Sequence, residues 1–155
     1  MSTFGDYLSD HANLPTYFDV VPAGNNGDEL IRRGTLHALR RANVHMVDDP
    51  SEAQHIIVRG HGSFTDFYDS GALEEIEAHC QRFPNCKITI GPSTFAYDRV
   101  RADLVLSRCM NEIVWFARDR FSFDKLAELR QLCKVEPKLS DDCALELADS
   151  EYILE

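Results

Sequence analysis

A cluster of basic residues, a C-x-x-C pair and an apolar run of membrane-spanning length are all missing from this 155-residue chain. Each absence excludes something. Acidic side chains outnumber basic ones 26 to 16, a formal net charge of −10. Without a Lys/Arg cluster that field repels phosphate backbones and anionic lipid, which argues against nucleic-acid and membrane-surface binding. An anionic substrate would need a local basic pocket. The five cysteines (Cys80, Cys86, Cys109, Cys133 and Cys143) are odd in number and form no paired motif. They read as reduced, mostly buried thiols, not a disulfide framework. The N-terminal MSTFGDYLSDHANLP lacks the basic-then-apolar profile of a signal peptide, so the expected location is cytoplasmic, with no membrane span. Internal repeats and low-complexity segments are absent as well. What remains, 44% apolar with 27% charged residues, is the composition of one globular domain.

Residues 1–15 carry no sustained period and end at Pro15, so they read as a lead-in: flexible, or a surface helix turn packed on the domain. Residues 16–155 read as a single α/β domain. The aromatic and β-branched stretch 16–21 predicts a strand running into Pro22, Gly24 and Gly27. Asn26, three residues before Glu29, is a candidate cap for a helix that places Ile31, Thr35, Ala38, Leu39 and Ala42 on one face and ends near Asn43. Short strands are predicted over 44–47 and 55–58. Ser70 can cap a helix carrying Leu73, Ile76, Cys80 and Phe83 inward, which Pro84 stops. Then come a strand at 87–90, a helix around 100–106, a strand at 113–117, and a helix capped by Ser122 with Leu126, Leu129 and Leu132 inward. An extended segment at 134–137 and a turn at 143–147 complete the chain. Strands alternating with helices predict a doubly wound, mostly parallel sheet of Rossmann-like kind, in which ligands sit beyond the carboxyl ends of the strands.

Four loops after strands could carry chemistry. The stretch 24–34, GNNGDELIRRG, is either a polar-group cradle at a helix N-terminus or a plain turn; it is neither a Walker loop nor a G-x-G-x-x-G fingerprint. RGHGSFTDFY, 59–68, crowds His61, Ser63, Asp66 and Tyr68 around two glycines, unless His61 and Asp66 are merely surface residues. No H-x-E or H-x-x-x-H partner lies near His61 to support a metal reading. GPSTF, 91–95, superficially suggests a nucleophile elbow, but all six histidines precede Ser93, whereas the base of that fold follows its serine. Pro92 either shapes a turn that aims the Ser93 and Thr94 hydroxyls at a ligand or precedes a helix cap. In FARDRFS, 116–122, Arg118 either forks onto a carboxylate or phosphate, or pairs locally as Arg118–Asp119 beside Arg120–Asp124.

Taken in order, these loops resemble the polysaccharide pyruvyl transferase family. GNNGDELIRRG is similar to that family's Gly-Asn-x-Gly-Asp opening, GHGSFTDFY to its Gly-Gly-Gly-Asn-x-x-Asp-x-Tyr loop, and PSTF to its Pro-Gln-Ser/Thr turn. ARDRFS is similar to Arg-Asp-x-x-Ser and DDCALEL to Pro-Asp-x-Ala-x-x-Leu. His61, Ser63, Ser93 and Asp141 depart from the pattern, standing for glycine, asparagine, glutamine and proline. The resemblance spans nearly all of this chain but only the N-terminal half of a catalytic unit built from two facing Rossmann-like domains of the glycosyltransferase-B type.

That resemblance implies transfer of the enolpyruvyl unit of phosphoenolpyruvate to two hydroxyls of a sugar, forming a pyruvate ketal in exopolysaccharide or cell-surface glycan synthesis. Phosphoenolpyruvate is the donor substrate, and no further cofactor or metal is implied. Such chemistry needs an acid, a base and cations for carboxylate and phosphate. On this reading Asp66 is the acceptor base or a sugar ligand and His61 an acid/base residue. Arg118 is the anion clamp, Gly24, Asn25, Gly27 and Asp28 shape the cleft floor, and Gly62, Ser63, Ser93 and Thr94 contact substrate. An Arg and a His of the donor site belong to the family's second domain, so a second chain or a homo-oligomer is expected to complete the cleft. A truncated, non-catalytic sugar- or anion-binding module is the alternative; an unrelated, for example nucleotide-dependent, enzyme of the same fold is the third reading.

Overall fold

In the structure, a computed structural model, residues 3–19, 25–67, 71–130 and 132–148 are described. The predicted cap Ser70, cleft-floor residue Gly24 and strand residues 20–21 lie outside them. The lead-in is a helix, α1 (Phe4–Asp10). Thr3 accepts from the Asp6 amide at 3.1 Å while Asp6 accepts from the Thr3 amide at 2.9 Å, a capping box that lets only seven residues hold a helix. Phe4, Tyr7 and Leu8 are buried, so the segment is part of the core, not a flexible arm.

β1 (Thr16–Asp19) leads to α2 (Asn26–Arg41), whose cap is Asn25, one residue before the expected Asn26. Acidic residues in its first turn and Arg40 and Arg41 in its last suit the helix dipole. Asn43 at φ 52° takes the left-handed position beyond its end. The expected strand at 44–47 is only a single parallel bridge, Met46 to Thr16. There follow β2 (His55–Val58), β3 (Phe64–Thr65), α3 (Ala72–Arg82), β4 (Lys87–Ser93), β5 (Phe95–Ala96), α4 (Arg99–Leu106), β6 (Ile113–Ala117), α5 (Arg120–Leu129), β7 (Val135–Leu139) and a 3-10 turn, Cys143–Leu147. The cap of α5 is Asp119, not Ser122: its carboxylate takes the Ser122 amide at 2.8 Å, and Ser122 sits buried inside the first turn. Leu132, expected inward, lies past the helix end and is 46% exposed.

The main sheet has the order β1-β2-β4-β6-β7, all parallel, and β3 pairs β5 in a small second sheet. Pro137 is tolerated in β7 because that strand is an edge. Alternate residues face opposite layers. Ile56, Ile88, Trp115 and Ala117 pack under α3, α4 and α5, while Ile57, Val114 and Phe116 pack under α1, α2 and Cys143. From β1 the chain passes through α2 to the Met46 bridge on the outer side of Thr16, then returns to β2 on its inner side. The winding therefore reverses between β1 and β2, the switch point of a doubly wound Rossmann-like sheet. Gly34 lets α2 meet the 3-10 turn, since a Cβ there would lie 1.8 Å from the Cys143 carbonyl oxygen. The five thiols are free, three of them buried. Among the described residues no helix is long and apolar enough to cross a membrane.

Candidate functional site

The carboxyl ends of β2, β4 and β6 are locked together by backbone. A Cβ on Gly60 would stand 2.1 Å from the Pro92 carbonyl oxygen, so only glycine allows the loops after β2 and β4 to touch. Thr94 donates its amide to the His61 carbonyl at 3.2 Å, and Arg118 donates its own to the Ser93 carbonyl at 3.1 Å. Side chains then converge on Arg118. Its Nε donates to Thr94 Oγ1 at 2.8 Å, Nη1 donates to Asp142 at 2.9 Å, and Nη2 faces Gly62, whose Cβ position is 3.3 Å away. Two fixed bonds orient the guanidinium and leave the Nη2 edge beside Gly62. Arg118 also borders a groove of about 340 Å³ that Thr3, Asp119, Arg120, Leu139, Ser140 and Asp141 line, without Gly62 or Thr94. Thus Arg118 does not pair with its local candidate Asp119. Its counter-ion is Asp142, 24 residues on, while Arg120 does pair with Asp124 at 2.9 Å.

His61 is stacked on Phe64, ring centroids 3.9 Å apart. The Ser63 amide donates to its Nδ1 at 3.1 Å, which puts the proton of the neutral ring on Nε2. Burial first, then the charges of Arg59 and Arg118, push its pKa down to about 4, against an opposing pull from Asp28. At neutral pH this imidazole is a hydrogen-bond donor, not an acid. Arg59 is the residue the sequence reading passed over. It is 4% exposed, its Nη1 reaches the Asp28 carbonyl only at 3.4 Å, and its Nε has no partner. Arg59 and Arg118 are the two cations whose charges His61 feels from the loops after β2 and β6, and in an acidic chain such local positive charge is what an anion would need.

Asn25 accepts the Asp28 amide at 3.0 Å, and a Cβ at Gly27 would press to 3.1 Å on that capping oxygen. Residues 25–28 thereby build the start of α2 next to Arg59. Two expectations change. Ser93 does not aim its hydroxyl at a ligand: it is fully buried, accepting from Trp115 Nε1 at 2.9 Å and donating to the Phe116 carbonyl at 3.4 Å. Asp66 does not present a free carboxylate. One oxygen pairs with Arg101 at 3.1 Å and the other accepts the Asp98 amide, which staples the loop after β3 to α4. Ser122 also works as a staple, accepting from the Phe95 amide at 2.9 Å and donating to Asp119 at 2.9 Å. Asp142, present in the DDCALEL segment, was not recognised as the partner of Arg118 because nothing local links residues 24 apart. Among the described residues no three His, Cys, Asp or Glu side chains gather into a metal site.

A second groove, about 320 Å³ along the outer surface of α2, is lined by Arg32, Arg33, His37 and Arg40. Arg32 and Arg33 are both tied to Glu29, whose carboxyl they hold down at about 2. Against the expectation of no Lys/Arg cluster, residues 32–41 of α2 carry four arginines and a histidine, partly neutralised by Glu29 and, at Arg41, by Glu146.

Compared with known protein families the chain matches none, and no curated protein matches it. Among solved structures it is similar to a functionally uncharacterized protein from Klebsiella pneumoniae, with a TM-score of 0.73 at 21% identity. The match covers 96% of this chain and 57% of that one, so the chain spans little more than half the length of its structural relative. At this identity the likeness establishes the fold: a Rossmann-like α/β sheet.

Proposed function

We propose that this chain is the N-terminal half of a ketal-forming pyruvyl transferase that uses phosphoenolpyruvate and a sugar diol. One observation carries the reading: Arg118 gathers Gly62, Thr94 and Asp142, so four segments of the motif series, far apart in sequence, meet at one guanidinium. In the reaction two hydroxyl oxygens bond to the phosphate-bearing carbon and the C–O bond to phosphate breaks. One hydroxyl proton ends on the methylene, making it methyl, and the other on phosphate. Arg118 Nη2 is the clamp for the donor carboxylate or phosphate. The Nε2–H of His61 is a neutral donor toward developing negative charge. Asp66 enters as a sugar ligand, since a carboxylate with two bonds made retains lone pairs for hydroxyls. The acid and base of the reaction then belong to the facing domain or chain. Phe67, Val100 and Phe121, exposed at the end of β3 and in the first turns of α4 and α5, offer that partner apolar contact. Light scattering that finds only monomer at high concentration would rule out self-association through this face.

The non-catalytic reading also has an observation in its favour: the Arg118 charge is already balanced by Asp142. Calorimetric titration of phosphoenolpyruvate at fixed ionic strength separates the two. The transferase reading expects saturable binding that weakens about tenfold or more in Arg118→Gln. Equal binding by both proteins, or by neither, removes the donor subsite from this chain and leaves a binding module.

A further inference from the structure

Arg59 is the buried charge that pyruvyl transfer does not use. It leaves the end of β2, a strand inside the sheet, at the point where the winding reverses, and Gly60 behind it is wedged against Pro92. A guanidinium carries five N–H donors and does not lose its proton. Here it has one long bond to the Asp28 carbonyl, none at Nε, and no carboxylate paired with it among the described residues. Burying a charge this poorly matched is costly unless something completes it.

What lies beside it is the first turn of a 16-residue helix. The Asn25 side chain and carbonyl take the amides of Asp28 and Glu29. Those of Asn26 and Gly27 come earlier in the turn, where a helix has no carbonyl to offer them. We propose that Arg59 and the first turn of α2 form a binding site for a phosphate group of a small phosphorylated ligand, separate from the Arg118 clamp. A carboxylate has only two oxygens, which the Nε edge of the guanidinium would use together. A phosphate engages that edge with two oxygens and has a third for the helix amides. Burial first, and then the Arg59 charge, keep the neighbouring His61 neutral, with Asp28 pulling the other way. The site stands whether or not pyruvyl transfer is the reaction.

The test is titration of the ¹⁵N-labelled full chain with inorganic phosphate, and separately with acetate, at constant ionic strength. Saturable shifts centred on Arg59 Nε–H, Asn26 and Gly27, with acetate about tenfold weaker, are expected. Asp28→Asn, which removes the competing negative charge of the same turn, tightens phosphate severalfold; Arg59→Met abolishes the response, and Arg118→Gln retains it. Shifts centred elsewhere, no shifts, or an unchanged response in Arg59→Met would overturn the site. Should Arg59→Met fail to fold, the wild-type and Asp28→Asn titrations decide the question by themselves. Phosphate bound at Arg59 without any phosphoenolpyruvate response at Arg118 sinks pyruvyl transfer and leaves this site intact.

Discussion

His55 and Arg59 bracket one strand, the first residue of β2 and the residue just after its last, and both are buried. At the amino end His55 Nε2 meets Thr89 Oγ1 at 2.8 Å, and the Tyr7 hydroxyl meets the same oxygen at 2.8 Å from under α1. Thr16 Oγ1 stands 3.5 Å from Nδ1. Burial, then His11 and Lys87, push the His55 pKa down to about 3, and burial lifts Tyr7 to about 12. Both groups are neutral, and each has a partner. At the carboxyl end the charge is permanent and Nε has none. A sheet that satisfies its polar groups under α1 and leaves a cation wanting at the switch point separates a structural end from a binding end.

The largest break in that contrast comes from closing the binding end. Gly60→Ala drives a Cβ into the Pro92 carbonyl, and urea unfolding should show a loss of about 3 kcal/mol together with loss of anion binding. Thr89→Val acts at the other end, stranding the Tyr7 hydroxyl and His55 Nε2 at once. The expected cost is about 2 kcal/mol, with phosphate binding unchanged.

Acid sharpens the comparison next. Folded His55 and His61 have pKa values pushed down to about 3 and about 4 from 6.5, so below 6.5 the unfolded chain takes up protons that the native rings refuse. Their contribution is therefore complete above 6.5 and falls as pH drops from there, to about 4 for His61 and about 3 for His55, by about 1.4 kcal/mol per pH unit for each ring. His55→Gln should flatten the fall in urea midpoint relative to wild type. The smallest effect is expected for Arg59→Met. A buried cation with one long bond adds little to folding, so stability should change by less than about 1 kcal/mol while phosphate binding disappears. A large destabilisation would make Arg59 a structural residue like His55.

Much of the fold was legible in residue types. HIIV, KITI and IVWFA are apolar and bounded by turn residues, as strands buried on both faces are, and the α2 face of Ile31, Thr35, Ala38 and Leu39 follows the helical period. For residues 1–15 a flexible lead-in and a packed helix turn stood equally open, because two turns are too short for a period to emerge, although Thr3 and Asp6 carried the capping signal. Ser122 was mistaken for a cap because Asp119 is an equally good one three residues earlier, and only geometry chooses between them. The site was legible as loops after strands but not as contacts. That Arg118 would answer to Asp142, Asp66 to Arg101, and Ser93 to Trp115 depends on tertiary neighbours that no local pattern encodes. The burial of Arg59 was least legible of all, because arginine is ordinarily an exposed residue.

The most direct test of the contrast is an NMR titration of the two imidazoles with and without inorganic phosphate. The account predicts that His61 titrates near 4 in the free protein and moves upward when phosphate offsets the charges around it, while His55 stays where burial put it. A His61 that titrates at its ordinary 6.5 and ignores phosphate would contradict a positive, anion-seeking cluster at the carboxyl ends of the sheet.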